Sequence, residues 1–311
     1  MKKLLLAAFV LGSVGCGMQL SIAPGASEVL IAHLGSEEGD VEAFEALANA
    51  FVASNPGYDM FYHRGATELA PRRTRQIVFV QSGEATANIG EESSEVSVGD
   101  IIMLIEGRKL ELSSALDLLC FVTPTAFPAQ LPTWIRPDWD PSITDTPGGC
   151  ATEHGAYRRI LLTWLPEKGP YIYHALNAHR VRITDSFTHY HPIEGGFDEF
   201  YLVQHANPDS RLLTSNRTKD IENSASIDAA TAAGLMEEHP LTTGDLVYMP
   251  RGTVHRGLGG VLAQVITTPG FKPGAEIGVD HHLRTINERL SLQGGTALPF
   301  NAEASAEAVV K

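Results

Sequence analysis

Two segments of the chain carry metal-binding side chains at regular spacing. Residues 189–203 read HYHPIEGGFDEFYLV, and residues 244–255 read GDLVYMPRGTVH. His189 and His191 lie two apart, so on a strand both imidazoles face the same side. Glu199 opens the apolar run Phe200-Tyr201-Leu202-Val203, and His255 follows a Pro-x-Gly turn that ends another strand. Three imidazoles and a carboxylate converging inside a small barrel make a site for one divalent transition metal, with Fe, Mn, Ni, Cu and Zn all compatible. An HxH pair alone is a weak signal; the combination carries the reading. Asp198 and, less well, Glu194 are alternatives to Glu199, which is preferred because the aromatic-rich strand follows it directly. Alternation places Tyr201 on the face of Glu199, where it is a candidate catalytic residue that could hold a substrate oxygen or orient a metal-bound water. The plainer role for Tyr201 is a core aromatic with a satisfied hydroxyl.

The second segment fits the pattern G-x5-P-x-G-x2-H through Gly244, Pro250, Gly252 and His255. With the HxH core and the downstream Glu, it resembles the two motifs of the cupin superfamily. Two departures stand out: the spacing from His191 to Glu199 is long, and Ala206 replaces the glycine that normally closes the first motif. The resemblance implies an all-β fold of double-stranded β-helix (jelly-roll) barrels with His189, His191, Glu199 and His255 as metal ligands. It also implies one of three activities. The preferred one is a metal-dependent oxidoreductase of the dioxygenase type acting on a small organic substrate. The others are a metal-dependent isomerase or lyase and a non-catalytic small-molecule-binding protein. Oxalate-degrading members with two barrels usually carry an Arg three residues before the first motif histidine, where this chain has Ser186.

A weaker copy of the pattern precedes the first. Gln76–Gln81 lines up with Glu199–Gln204, and Gly99-Asp100 then Gly107 lines up with Gly244-Asp245 then Gly252. By this alignment the four ligands fall on Ala66, Glu68, Gln76 and Leu110, so the first barrel is expected to keep the fold without a metal. The chain then divides into an N-terminal segment 16–56 with one helix over 36–54, a degenerate barrel 57–123, and a Pro-rich linker 124–150. A metal-binding barrel 151–275 follows, with an insertion 206–240, and then a helix and loose tail 276–311. A helix over 227–238 is expected inside the insertion, which sits between the two metal motifs and is a candidate lid. Near the ligands in sequence are Phe187, Tyr248 and Arg256. Arg251 is expected to face solvent, His174 and His179 to be structural, and His281 and His282 to be a surface pair.

The balance of 37 acidic against 23 basic residues gives a formal charge of −14 without any basic run, which excludes a general nucleic-acid partner. Plentiful Gly and Pro with only 19 % charged residues suit a turn-rich β protein. Lys2-Lys3, a short apolar stretch over 4–15 and Gly15-Cys16 look like a bacterial lipoprotein signal, with 1–15 removed and Cys16 lipidated; ordinary signal cleavage is the alternative. The expected location is therefore periplasmic or membrane-anchored, with membrane contact only through that lipid. In an oxidising compartment Cys120 and Cys150 could form a disulfide, or remain as two thiols. A small-molecule ligand is the expected partner, and pairing of barrel faces would give a homodimer.

Overall fold

The two expected barrels are both present, each built as an antiparallel sheet that curls around its own apolar lumen. The computed structural model describes residues 28–35, 37–148 and 156–311. The signal segment, Cys16 and Cys150 lie outside them. Cys120 is buried in the lumen of the first barrel. The strands of the first part are β1 (Leu30–His33), β2 (Asp59–Leu69), β3 (Gln76–Ser82), β4 (Glu84–Ile89), β5 (Glu92–Ser97), β6 (Ile101–Leu104), β7 (Leu110–Val122) and β8 (Trp134–Ile135). Those of the second are β9 (Arg158–Leu162), β10 (Asn177–Asp185), β11 (His189–Tyr190), β12 (Asp198–His205), β13 (Arg211–Ser215), β14 (Glu237–Pro240), β15 (Asp245–Met249), β16 (Val254–Thr268) and β17 (Ile277–Gly278). The helices are α1 (Glu38–Ser54), α2 (Thr218–Glu222), α3 (Ala229–Ala232) and α4 (Asp280–Leu290).

The sheets run β5-β4-β7-β3-β6-β8 with β2 on β7, and β1-β15-β12-β16-β10-β9 with β11 and β13 on β16. The long strands β7 and β16 hold each barrel together. The repeat is exact in register: β3 sets Gln76 against Leu104 as β12 sets Glu199 against Met249. The turn glycines match as well, with Gly99 at φ +100° and Gly244 at φ +101°, a left-handed backbone that favours glycine.

Side-chain alternation gives the central strands, such as β3, β12 and β15, two buried faces. Val78, Val80, Leu118 and Cys120 fill the first lumen, and Val181, Tyr201, Val203, Val247 and Val265 the second. The other faces, with Phe79, Phe121, Phe200 and Tyr248, meet in one core shared by both barrels. Helix α1 closes this core with Leu47 and Phe51, and Phe51 packs edge-on to Phe121, Phe200 and Tyr248. Its start is a reciprocal capping box between Glu37 and Asp40. Its end is fixed by Asn55, whose side-chain amide donates to the Phe51 carbonyl. Gly99 lies at a close approach of the barrels, since a Cβ there would stand 2.6 Å from Arg180 Nε. The amides of Gln81 and Gln264 cross the boundary to the carbonyls of Val203 and Gly99.

Several expectations change. The N-terminal segment contributes β1, which pairs with β15 of the second barrel. The Pro-rich linker, whose Trp134 and Trp139 suggest packing over one barrel, does pack there: it docks through β8 on β6 and buries Ile135 and Ile143. Much of the supposed insertion is barrel: β13 and β14 form a hairpin on β16. The expected 227–238 helix is only α3, because the chain must turn extended at Glu237 to pair with β13. The tail beyond Gly294 is docked, burying Leu298 and Ser305 and returning Val310 beside Ile277.

Candidate metal centre

β11 and β16 place His189 directly opposite His255. His191 follows two residues on, and β12 brings Glu199 from the neighbouring strand. Donor atoms of these four residues lie within 4.8 Å of one another, and all four residues are buried. Glu199 Oε1 stands 3.4 Å from His255 Nε2, and Oε2 stands 3.8 Å from His191 Nε2. Two donors at about 2.1 Å from a shared ion stand roughly 3.0–3.4 Å apart, so these separations are near what a common ion requires.

Hydrogen bonding orients the rings. His189 Nδ1 lies 3.1 Å from the Phe187 carbonyl, and His255 Nδ1 lies 3.1 Å from that of Thr253. With Nδ1–H donating outward, each Nε2 keeps its lone pair for the centre, the arrangement that outer partners give metal-bound histidines. Nε2 of all three histidines and Oε1 of Glu199 are buried without hydrogen-bond partners. Orphaned buried acceptors of this kind are costly unless something fills the space between them, and a divalent ion fits the donor set. Burial and the neighbouring imidazoles push His189 and His191 well below the usual histidine range, keeping them neutral. Burial lowers His255 too, but Glu199 and the Thr253 carbonyl outweigh it and raise that group.

The register decides between the carboxylates. Asp198 points away from the centre and accepts from Asn55 Nδ2 at 2.5 Å, Tyr248 Oη at 2.9 Å, and Arg251 N and Nε at 2.9 and 2.8 Å. Arg251 is therefore not a solvent-facing turn residue; it fastens the Pro250 turn to β12 and to the end of α1. Glu194 lies exposed on the loop before β12. Tyr201 is fully buried in the second lumen, two residues inward of Glu199 on the same face. Phe187 stacks on His189 with centroids 4.2 Å apart, and Arg256 pairs with Asp185.

In the first barrel β2 and β7 set Leu69 opposite Leu110, as His189 stands opposite His255. Leu69, not Ala66, therefore holds the position of His189. Two register shifts between His63 and Glu68 moved the count. Glu68 is exposed and paired with Lys109, and Gln76 is buried in the place of Glu199. Among the described residues, the His189 group is the one cluster that could hold a metal.

A cavity of about 420 Å³ opens on the Glu199 side of the centre. Its walls come from residues 146–148, 158–179 and 267–276, with Lys311 from the docked tail. None comes from 206–240, so that segment is not the lid of this opening; its short helices pack on α4 instead. His179, expected to be structural, lines the cavity, as do Arg158, Trp164, Phe271 and Glu276. Nothing in the sequence pattern marked these last four, because strand edges and the returning tail bring them together.

The strand order, the duplicated barrel and the ligand cluster define a fold of two cupin-like β-barrels with, among the described residues, one group that could hold a metal. No family model matches this chain, and no curated protein matches it. Solved structures similar to it include the oxalate decarboxylase of Lactobacillus farciminis, at 13 % identity and a TM-score of 0.46, covering 82 % of this chain and 90 % of that one. Salicylate 1,2-dioxygenase of Pseudoaminobacter salicylatoxidans is similar at 12 % identity and a TM-score of 0.46, over 89 % and 90 % of the two chains. The 11S globulin of Wrightia tinctoria follows at 11 % and 0.42, over 68 % and 75 %. Likenesses at this level carry no argument about reaction or ligand.

Proposed function

We propose that this chain is a metal-dependent oxidoreductase of the dioxygenase type, acting on a small organic substrate in its second barrel. The observation that carries the reading is the set of four buried, hydrogen-bond-free donor atoms, one of them from Glu199, which also lines an open cavity. His189, His191, Glu199 and His255 would hold one divalent ion, which supplies Lewis acidity and, if redox-active, electron transfer to oxygen. The surrounding residues shape the site: Phe187 and Phe197 flank the ligand rings and keep water from them. A metal-dependent isomerase or lyase is the second reading, favoured by Glu276. Burial and the nearby Glu199 push its carboxyl up to about 7, where it can give and take a proton at neutral pH. From the sequence of residues 1–16 we also propose export, with Cys16 as a lipid anchor; the mass of the processed N-terminus tests it.

Elemental analysis of protein purified without added metal tests the principal reading. One iron, copper or manganese per chain, with oxygen consumption on a panel of small organic substrates, is expected. Stoichiometric zinc as the native ion would remove oxygen activation from consideration, because zinc has no redox chemistry. Two ions per chain would contradict the silent first barrel.

A further inference from the structure

The cavity at the centre has a charge pattern that the ligand cluster alone does not explain. Arg158, Lys168 and Lys311 line it against two carboxylates, Glu199 and Glu276. Glu199 belongs to the ligand set, which leaves three cations facing one further carboxylate, Glu276, on which Arg158 and Lys311 both act. The walls are therefore net positive, although the whole chain carries −14.

The guanidinium of Arg158 and the backbone of Lys311 are both tied down. Arg158 Nη1 donates to the Thr146 carbonyl at 3.0 Å, which fixes the guanidinium at the edge of β9. The backbone of Lys311 pairs with Glu276 in both directions, and its ammonium sits 4.3 Å from the Phe187 ring centroid. The charge of Arg158 is felt inside the cavity, where it adds to burial in pushing His179 down. A guanidinium held in this way offers a carboxylate a planar pair of donors, and a nearby ammonium adds a second charge.

Another part of the lining is apolar and aromatic. Trp164 stacks on Phe271 with centroids 3.9 Å apart, and Phe271 lies 5.2 Å from Phe197, which in turn packs 4.0 Å from the ligand ring of His191. A row of aromatic rings thus runs from the cavity wall to the centre, with Ile160 and Leu162 completing the surface. A cavity of this volume is within the range of small-molecule sites.

We propose that the cavity binds a ring-bearing monocarboxylic acid, its carboxylate between Arg158 and Lys311 and its ring against Trp164 and Phe271. This deepens and rests on the metal-enzyme reading, since Glu199 of the ligand cluster lines the same cavity.

Titration calorimetry with benzoate, its neutral isostere benzamide, and acetate tests it, on full-length protein with and without the ion. Benzoate is expected to bind at least ten-fold more tightly than either comparison compound. Arg158→Gln and Lys311→Gln should each weaken benzoate about ten-fold while changing benzamide less than two-fold, and Arg158→Lys should recover part of the loss. If Arg158→Gln does not fold, Lys311→Gln, at the edge of the fold, carries the same comparison. Equal affinity for benzoate and benzamide, or equal losses of both in the variants, would overturn the charge assignment. Acetate binding as well as benzoate would overturn the ring assignment. Charge-dependent benzoate binding to a chain that holds no ion would support the pocket and sink the metal reading. A bound ion without benzoate binding would overturn the pocket alone.

Discussion

His255 shows how much of the centre rests on single residues. It faces His189 across the β11–β16 pair and approaches Glu199 from the other side. His255→Ala should lower metal affinity about 100-fold or more, measured by competition with a chelator, since loss of even outer partners costs 10–100-fold. Leu110→Ala, at the matching place in the first barrel, should cost about 2–5 kcal/mol in a urea titration and leave metal content unchanged. The ligands could be read in the sequence because their residue types and two-residue spacing are themselves the signal. Arg158, Glu276 and Lys311 could not, because their chemistry depends on which strand edges meet. Acidity adds a further test. His179, like His189 and His191 in the metal-free protein, is pushed below the usual histidine range. A base with a depressed folded pKa contributes stability above its unfolded value, near 6.5, and loses it as pH falls below that value. Metal-free protein should therefore lose stability between about pH 6.5 and 5, by up to about 1.4 kcal/mol per pH unit for each histidine that stays neutral, offset in part by Glu276, whose raised carboxyl takes up a proton in the folded state over the same range. His179→Gln should make that slope shallower; an unchanged slope would mean His179 takes up its proton in the folded state.

At the scale of elements, the strands of both barrels follow from apolar runs punctuated by glycine turns, and α1 from its 3.6-residue pattern. The segment over 206–240 was misread because helical composition around Ala229–Ala233 outweighed the short, polar strand β14, whose partner β13 lies more than twenty residues away. Tertiary pairing overrides local preference there. The tail was misread for a similar reason. It has few apolar residues, yet Val309 accepts from Gly278 and Lys311 pairs with Glu276. That pairing extends β17, and β17 in turn carries His189 through β11. Removing residues 306–311 should therefore weaken metal binding several-fold without unfolding the barrel, as chelator competition and circular dichroism would show. Replacing 217–235 by a short turn should do the opposite. It strips cover from Leu283 and Ile286 and lowers stability, but leaves affinity for a ligand in the cavity unchanged.

At the scale of the whole molecule, the two barrels do not merely touch. Phe79 and Phe121 of the first, Phe200 and Tyr248 of the second and Phe51 of α1 form one aromatic core, and β1 ties the N-terminal segment to the second sheet. Opening one barrel exposes the apolar face of the other, so the two are expected to unfold together. Cys120 can report on this. It is fully buried in the first lumen, and burial pushes its thiol up to about 12, so alkylation requires that barrel to open. An ion binding only the folded second barrel at 100 times its dissociation constant stabilises that barrel by about 2.7 kcal/mol. If opening is shared, adding the ion should slow alkylation of Cys120 about 100-fold in a Cys16→Ser, Cys150→Ser background. An unchanged labelling rate would show that the silent barrel opens independently, and that the common core does not couple it to the metal centre.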